Sequence, residues 1–281
     1  MVQGEYKLVD FGNGRKLESF AGRLIDRPSP AAEDYSPREP ANWKDAESVF
    51  LKSSKSWQHK TAWPESLVVS CSTFSMPVAP TPFGHLGIFP EQADNWSWLQ
   101  SVDGDQLSAL NLFGYTGAST IALAKAGFHV AHVDAARPNV QAARHNAQHN
   151  ELESHPIRYL VDDAAKFTAR EVRRAKQYHT IVLDPPAYGH GPSGKTWRLE
   201  RDLWPMLDDC LRLLDPSSFR LLITGHSPQV SGDDVEDYIR STNIFPSGQS
   251  KTFHFEKERS QLRDQHRRSL DAGFFVRVSN T

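Results

Sequence analysis

Apolar and polar positions follow one rhythm in the first 75 or so residues and another from about residue 95 onward. In "YKLVDFGNGRKLESF" they alternate on both sides of Gly12-Asn13-Gly14, the period of a half-buried strand around a turn signal, so a β-hairpin is expected. "RPSPAAEDYSPREPANW" breaks the alternation with Pro, Ala and charge, and predicts an extended surface connection. "SVFLKSSKSWQHK" and the apolar "SLVVSCSTFSM" follow. Residues 1–75 together read as a small β-rich region, with residues 76–281 as a second domain.

In that second part short apolar runs alternate with helical periodicity. "SALNLF", "HVAHVD", "IRYLV", "TIVLD" and "FRLLIT" predict strands. "ASTIALAKA", "RPNVQAARHNAQHN", "AAKFTAREVRRA", "LERDLWPMLDDCLRLL" and "SGDDVEDYIRS" predict the helices between and after them. Gly127 ends the first helix, Pro138 sits in the first turn of the second, and Ser231 is placed to cap the last. Strand and helix in turn argue for βαβ units and an α/β fold with a mainly parallel sheet, closed by an antiparallel pair, "KTFHFE" and "GFFVRVS". Ligands of such sheets bind beyond the carboxyl ends of the strands. Those ends carry Gly114–Gly117, Asp134, Asp162-Asp163, Asp184 and Thr224–Ser227.

Composition narrows the picture only a little. The 281 residues are 38% apolar with a mean hydropathy of −0.54, and no apolar run approaches the roughly 20 residues of a membrane helix. "MVQGEYKLVD" lacks the basic patch and apolar core of a signal peptide, so the cytoplasm is the expected location and no membrane partner is expected. Cys71 and Cys210 are too few for a disulfide framework or a four-thiolate metal site. His145 and His149, four apart on a helix without a partnering acid motif, read as a solvated face, so no metal is expected. A formal charge of −2 leaves a local basic face as the route to a nucleic acid.

The strand ends carry the chemistry. Gly114-Tyr115-Thr116-Gly117 is either a tight βα turn or a turn that lets the backbone approach a ligand, with free helix N–H groups behind it. Ala118-Ser119 stand where a triphosphate loop needs Lys-Ser/Thr. Asp134, 20 residues after Gly114, suits the two hydroxyls of a ribose or the cap of the next helix. Asp163, followed by Ala164, is the better candidate to meet an adenine amine, which leaves Asp162 as a helix cap. In Asp184-Pro185-Pro186-Ala187-Tyr188 two prolines stiffen the chain after a buried strand, so that the Asp184 carboxylate and the Pro185 carbonyl can converge on an exocyclic amine. Tyr188 is then placed to stack on the ring that carries it.

"NLFGYTG" (Asn111–Gly117) and "DPPAYG" (Asp184–Gly189) resemble motifs I and IV of the class I S-adenosylmethionine-dependent methyltransferases, and most of all the branch with the bacterial 23S ribosomal RNA methyltransferases. "LGIFPEQADNWSWL" is similar to that branch's "GFFLDQ" segment, and the likeness runs over roughly residues 83 to 225. The RNA-binding PUA domain common at the front of such enzymes has no counterpart in the hairpin region. The resemblance implies a Rossmann-like seven-stranded sheet and S-adenosyl-L-methionine as cofactor. Phe113, Gly114, Tyr115, Thr116 and Gly117 would then hold its methionine part, Asp134 and Ala135 its ribose, and Asp162, Asp163 and Ala164 its adenine. Phe89, Pro90 and Gln92 would cover it, and Asp184, Pro185 and Tyr188 would form the catalytic group, Asp184 also facing the cofactor.

Methylation at cytosine C5 needs a cysteine nucleophile, which in the resembled branch follows strand five, where this chain has Thr224-Gly225-His226-Ser227. A nucleobase amine in RNA is therefore the expected acceptor. The alternatives are an oxygen acceptor, a small molecule or protein as substrate, and a non-catalytic cofactor-binding module. Glycines between 189 and 194 make the loop Tyr188–Trp197 a candidate lid.

Overall fold

The computed structural model describes residues 2–190, 196–242 and 253–280. The chain divides into two compact units, Met1–Asp94 with Ser260–Ala272, and Asn95–Arg259 with Gly273–Thr281.

The first unit is built of strands. β1 (Val2–Gly4) is followed by β2 (Tyr6–Gly12), β3 (Arg15–Phe20) and β4 (Arg23–Pro28), then by β5 (Ser48–Leu51), β6 (Ser56–His59), β7 (Leu67–Cys71) and β8 (Phe74–Pro77). β2 to β6 form a five-stranded sheet in sequence order, and β1, β7 and β8 form a three-stranded one. The expected hairpin is β2–β3, its reversal helped by left-handed Asn13 and Gly14. Residues 76–94 group with this unit: β8 pairs with β7, and Val78, Leu86 and Ile88 are buried.

The Pro-rich connection departs from the extended surface path expected of it. It contains 3₁₀ turns at Pro30–Ala32 and Asn42–Asp45, and Ala32 is fully buried with Leu8, Phe11, Leu262 and Leu270. The reason is Asp10, a buried carboxylate in β2 that must find donors. The connection supplies them from the backbone N–H groups of Arg38 and Glu39 and the Trp43 indole, at 2.9–3.0 Å. Arg268 adds its guanidinium at 2.5 Å.

The second unit holds α1 (Ala93–Leu99, from Asn95 onward), β9 (Ser108–Leu112), α2 (Ala118–Lys125), β10 (His129–Asp134), α3 (Arg137–His149), β11 (Ile157–Val161) and α4 (Ala164–Arg173). β12 (Thr180–Leu183), β13 (Tyr188–His190), β14 (Thr196–Arg198), α5 (Leu199–Leu213), β15 (Arg220–Gly225) and α6 (Gly232–Ser241) come next, then β16 (His254–Arg263) up to Arg259 and β17 (Ser269–Ser279) from Gly273. Its seven-stranded sheet runs β11-β10-β9-β12-β15-β17-β16. The first five strands are parallel, and β17 is antiparallel to β15. The expected α/β class with a closing C-terminal pair is what the structure has. The strand order reverses between β9 and β12, the point at which open α/β sheets bind ligands.

A large apolar core under this sheet joins Leu110, Leu112, Ile181, Leu183 and Ile223 to Phe167 of α4 and to Leu203, Leu207 and Leu211 of α5. Ser231 caps α6 in a reciprocal capping box with Asp234, as its place before the acids predicts. Among the described residues no helix is long and apolar enough to cross a membrane.

Candidate active site

Three features make Gly114–Gly117 more than a short connection. Phe113, Tyr115 and Gly117 all have left-handed φ, at 57°, 48° and 91°, and two of the three carry side chains that disfavour it. The strain is held by neighbours. Gly114 N donates to Val133 O at 3.0 Å, Tyr115 N to Asp134 Oδ2 at 2.9 Å, and the Asn146 side chain to Thr116 O at 2.9 Å. Gly114 itself is not left-handed; a Cβ there would stand 2.5 Å from Cε1 and Nδ1 of His132, which lies directly beneath.

His132 belongs to a neutral buried network. Asn111 donates to Thr120 Oγ1 at 2.8 Å, and that hydroxyl shares a 2.8 Å hydrogen bond with His132 Nδ1. Burial pulls the imidazole down from 6.5 to about 4, and its Nε2 has no partner among the described residues. A charged ring is thereby excluded at neutral pH.

Asp134, nearly buried at the end of β10, serves the protein first. Its Oδ1 accepts Ala136 N at 2.9 Å and Asn139 Nδ2 at 3.0 Å, so it organises the entry to α3 as well as the Gly114 turn. A carboxylate offers about four acceptor positions. Three are used among the described residues, which leaves one at Oδ2. Ala135 lies between the two bonded positions.

The helix cap falls on the other of the two acids after β11. Asp163 is the cap of α4, accepting Lys166 N at 3.0 Å, whereas Asp162 pairs with Arg170 and accepts Asp163 N at 2.8 Å. Helix geometry decides this: Ala164 is the first residue of α4, so the residue before it, Asp163, is at the cap.

Asp184 follows β12 half-buried and accepts the hydroxyl of Thr224 from the end of β15. Pro185 is buried and Tyr188 is 56% exposed. The stretch expected as a plain loop forms a hairpin, β13 with β14, because Trp197 anchors its return strand. The Trp197 indole donates to Pro186 O at 2.8 Å, and its ring lies 5.1 Å from that of Phe113. One side chain thus ties the Asp184 loop to the Gly114 turn. The centre of the candidate lid, residues 191–195, lies outside the described residues.

The structure therefore brings Phe113–Gly117, Asp134, Asp162-Asp163 and Asp184–Tyr188 to the carboxyl ends of adjacent strands of one sheet. Phe89, Pro90 and Gln92 belong to the other unit, at a 3₁₀ turn over Pro90–Gln92 where the Phe89 ring meets His85 at 5.2 Å. His132, Thr120, Thr224 and Trp197 escape a reading by motif. The available signal for His132 was a polar residue in the middle of a buried strand, two places before Asp134. Neither cysteine is a poised nucleophile: Cys210 is fully buried in the core, and burial raises both thiols, Cys71 to about 12.

No family model matches the chain. Curated relatives include a ribosomal RNA large subunit methyltransferase I of Pseudoalteromonas translucida, 30% identical over 107 residues, which are 37% of this chain and 27% of that protein. A ribosomal RNA large subunit methyltransferase K/L of Methylococcus capsulatus is 26% identical over 164 residues, covering 56% of this chain and 22% of that one. The chain thus spans about a quarter of the length of the curated relatives it matches. The crystal structure of a SAM-dependent methyltransferase from Agrobacterium tumefaciens superposes with a TM-score of 0.89 at 32% identity, over 99% of this chain and 91% of that one. With that identity across nearly the whole of both chains, this chain belongs to the S-adenosylmethionine-dependent methyltransferases.

Proposed function

We propose that the chain methylates an exocyclic amine of a nucleobase in RNA, ribosomal RNA being the favoured source. The observation that carries this is the Asp184–Tyr188 turn: a half-buried carboxylate oriented by Thr224, on a proline-stiffened loop that ends in an exposed aromatic ring. A flat heterocycle with an amine at its edge matches that pairing of acceptor and ring. The likeness to ribosomal RNA methyltransferases supports the same substrate.

The donor set fits the cofactor. Phe113 to Gly117 offer close backbone to its amino-acid end, Asp134 keeps one acceptor position for a ribose hydroxyl, and the Asp162-Asp163 backbone stands at the end of the next strand for adenine. S-adenosylmethionine supplies an electrophilic methyl carbon, so what the protein must add is alignment. An aromatic amine is a weak nucleophile because its lone pair is delocalised into the ring. Asp184, accepting from the amine N–H, would favour the tetrahedral nitrogen that attacks, offset the positive charge that develops there and accept the proton which that nitrogen then loses. Thr224 holds the carboxylate for this, and Tyr188 stacks on the base.

Transfer of tritiated methyl into RNA, protein and small-molecule fractions from a strain lacking the gene tests the reading, with Asp184→Ala as control. Label in RNA that disappears with Asp184→Ala, while S-adenosylhomocysteine still binds, is expected. An unlabelled RNA fraction beside a labelled protein or small-molecule fraction would replace the substrate.

A further inference from the structure

The edge of the five-stranded sheet in the first unit has a surface that the reaction centre leaves unexplained. Between Glu47 and Glu65 the chain carries Lys52, Lys55 and Lys60 and no acidic residue. On the same stretch Trp57 and His59, two apart on β6, lie with rings parallel to within 7° and centroids 6.0 Å apart. The Trp63 ring follows at 5.9 Å from His59.

A turn bonded to Trp57 through Thr81 O shows one more ring. Thr81 N donates to His85 O at 2.9 Å, and His85 N returns to Thr81 Oγ1 at 3.1 Å. The Trp57 indole donates to Thr81 O at 2.7 Å, and the buried Arg27 donates to Gly84 O at 3.2 Å. Gly84, at φ +80°, closes the turn against Phe50, whose ring is 5.1 Å from Trp57. The residue so displayed is Phe83, 81% exposed. A phenylalanine exposed to that degree on a turn so held has no packing role to account for it.

We propose that Phe83, Trp57 and His59, bordered by Lys52 and Lys55, form a platform on which the bases of single-stranded RNA stack while the lysines meet the phosphates. Rings set in a row beside an acid-free basic stretch are what a sequence-tolerant single-strand surface requires, since every base has a π-face and every nucleotide a negative charge. The inference rests on the RNA reading of the reaction centre and adds to it a place where the substrate is held.

The test is fluorescence anisotropy with a labelled single-stranded RNA of about 16 nucleotides, the upper end of such sites. Phe83→Ala is expected to weaken binding about 5- to 150-fold, the value of one lost stack, and to leave S-adenosylhomocysteine affinity unchanged. Lys52→Gln/Lys55→Gln should make the salt dependence shallower by about 0.7 in log–log slope for each lysine that meets a phosphate. Equal RNA affinity and equal salt slope in the variants and the wild type overturn the platform while the RNA reading stands. A wild-type protein that binds no RNA overturns both.

Discussion

Gly84 and Gly114 each lie on a ring, Phe50 under the first and His132 under the second, and each belongs to a turn for which we propose a ligand. Their supports are of opposite kinds. Behind Gly84 is a charged cluster: Arg27 bonds the Gly84 carbonyl and both oxygens of Glu18, at 2.5 and 3.0 Å, with Lys16 at 3.0 Å and the Tyr6 hydroxyl at 2.9 Å completing the shell. Beneath Gly114 is the uncharged chain Asn111–Thr120–His132. A buried ion pair is costly to assemble and costlier to break, and it fixes the groups around it. A neutral network is cheaper, and the strain in Phe113 and Tyr115 is then restrained by the turn's own N–H groups, donated to Val133 O and to the Asp134 carboxylate.

The largest effect should come from breaking the charged support. Arg27→Met leaves Glu18 buried beside Lys16 and Tyr6 only, and is expected to cost about 3–5 kcal/mol in urea denaturation. Glu18→Leu/Arg27→Met should recover most of that loss; a double variant as unstable as the single one would show that the pair is not the cause. Burial by itself would raise the Glu18 carboxyl, but Arg27 and Lys16 outweigh it and hold it at about 2 instead of 4.5. The unfolded chain therefore binds this proton first, and Glu18's contribution to stability is lost as pH falls from about 4.5 to about 2.

Gly114→Ala comes next. Its methyl group would meet the His132 ring, and overpacking of this kind costs about 1–3 kcal/mol. Because the displaced backbone is the turn proposed to hold the cofactor, calorimetry with S-adenosylhomocysteine should show about 10-fold weaker binding or worse. Gly114→Ala/His132→Ala should regain part of it; strictly additive effects would mean that the two residues do not communicate. Gly84→Ala is expected to cost about 1–2 kcal/mol through left-handed strain and the approach to Phe50, and to impair RNA binding without touching S-adenosylhomocysteine.

The smallest effect, His132→Asn, separates the two supports by pH. Above 6.5 it should cost about 1 kcal/mol, the worth of the Thr120 hydrogen bond. Wild-type stability should fall as pH drops from 6.5 to about 4, because the unfolded ring takes a proton that the buried ring refuses. The His85 and His59 rings are also lowered, by burial first, so the difference between variant and wild type is the quantity to read. An unchanged slope in His132→Asn would remove His132 from that transition.

How much was legible depended on how local the cause was. The strands "HVAHVD" and "IRYLV" begin and end where the sequence predicts, since periodicity and buried runs are properties of neighbours along the chain. That Asp163 and not Asp162 caps α4 turned on a single residue of helix start, a boundary that adjacent acids do not reveal. The folding-in of the Pro-rich connection depended on a carboxylate, Asp10, some 30 residues away. Composition could not foretell it.

The sequence by itself determined the α/β class of the second unit, the carboxyl-edge placement of Gly114, Asp134 and Asp184, and the kind of ligand those residues suit, because turn chemistry and alternation are written locally. Only the tertiary structure decided that His132 supports Gly114 from beneath, that Trp197 joins Phe113 to the Asp184 loop, and that Phe83 stands exposed beside Trp57. Each of these depends on which side chains from distant strands and loops occupy the same space, and that is settled by packing and by the cost of leaving buried polar groups unpaired.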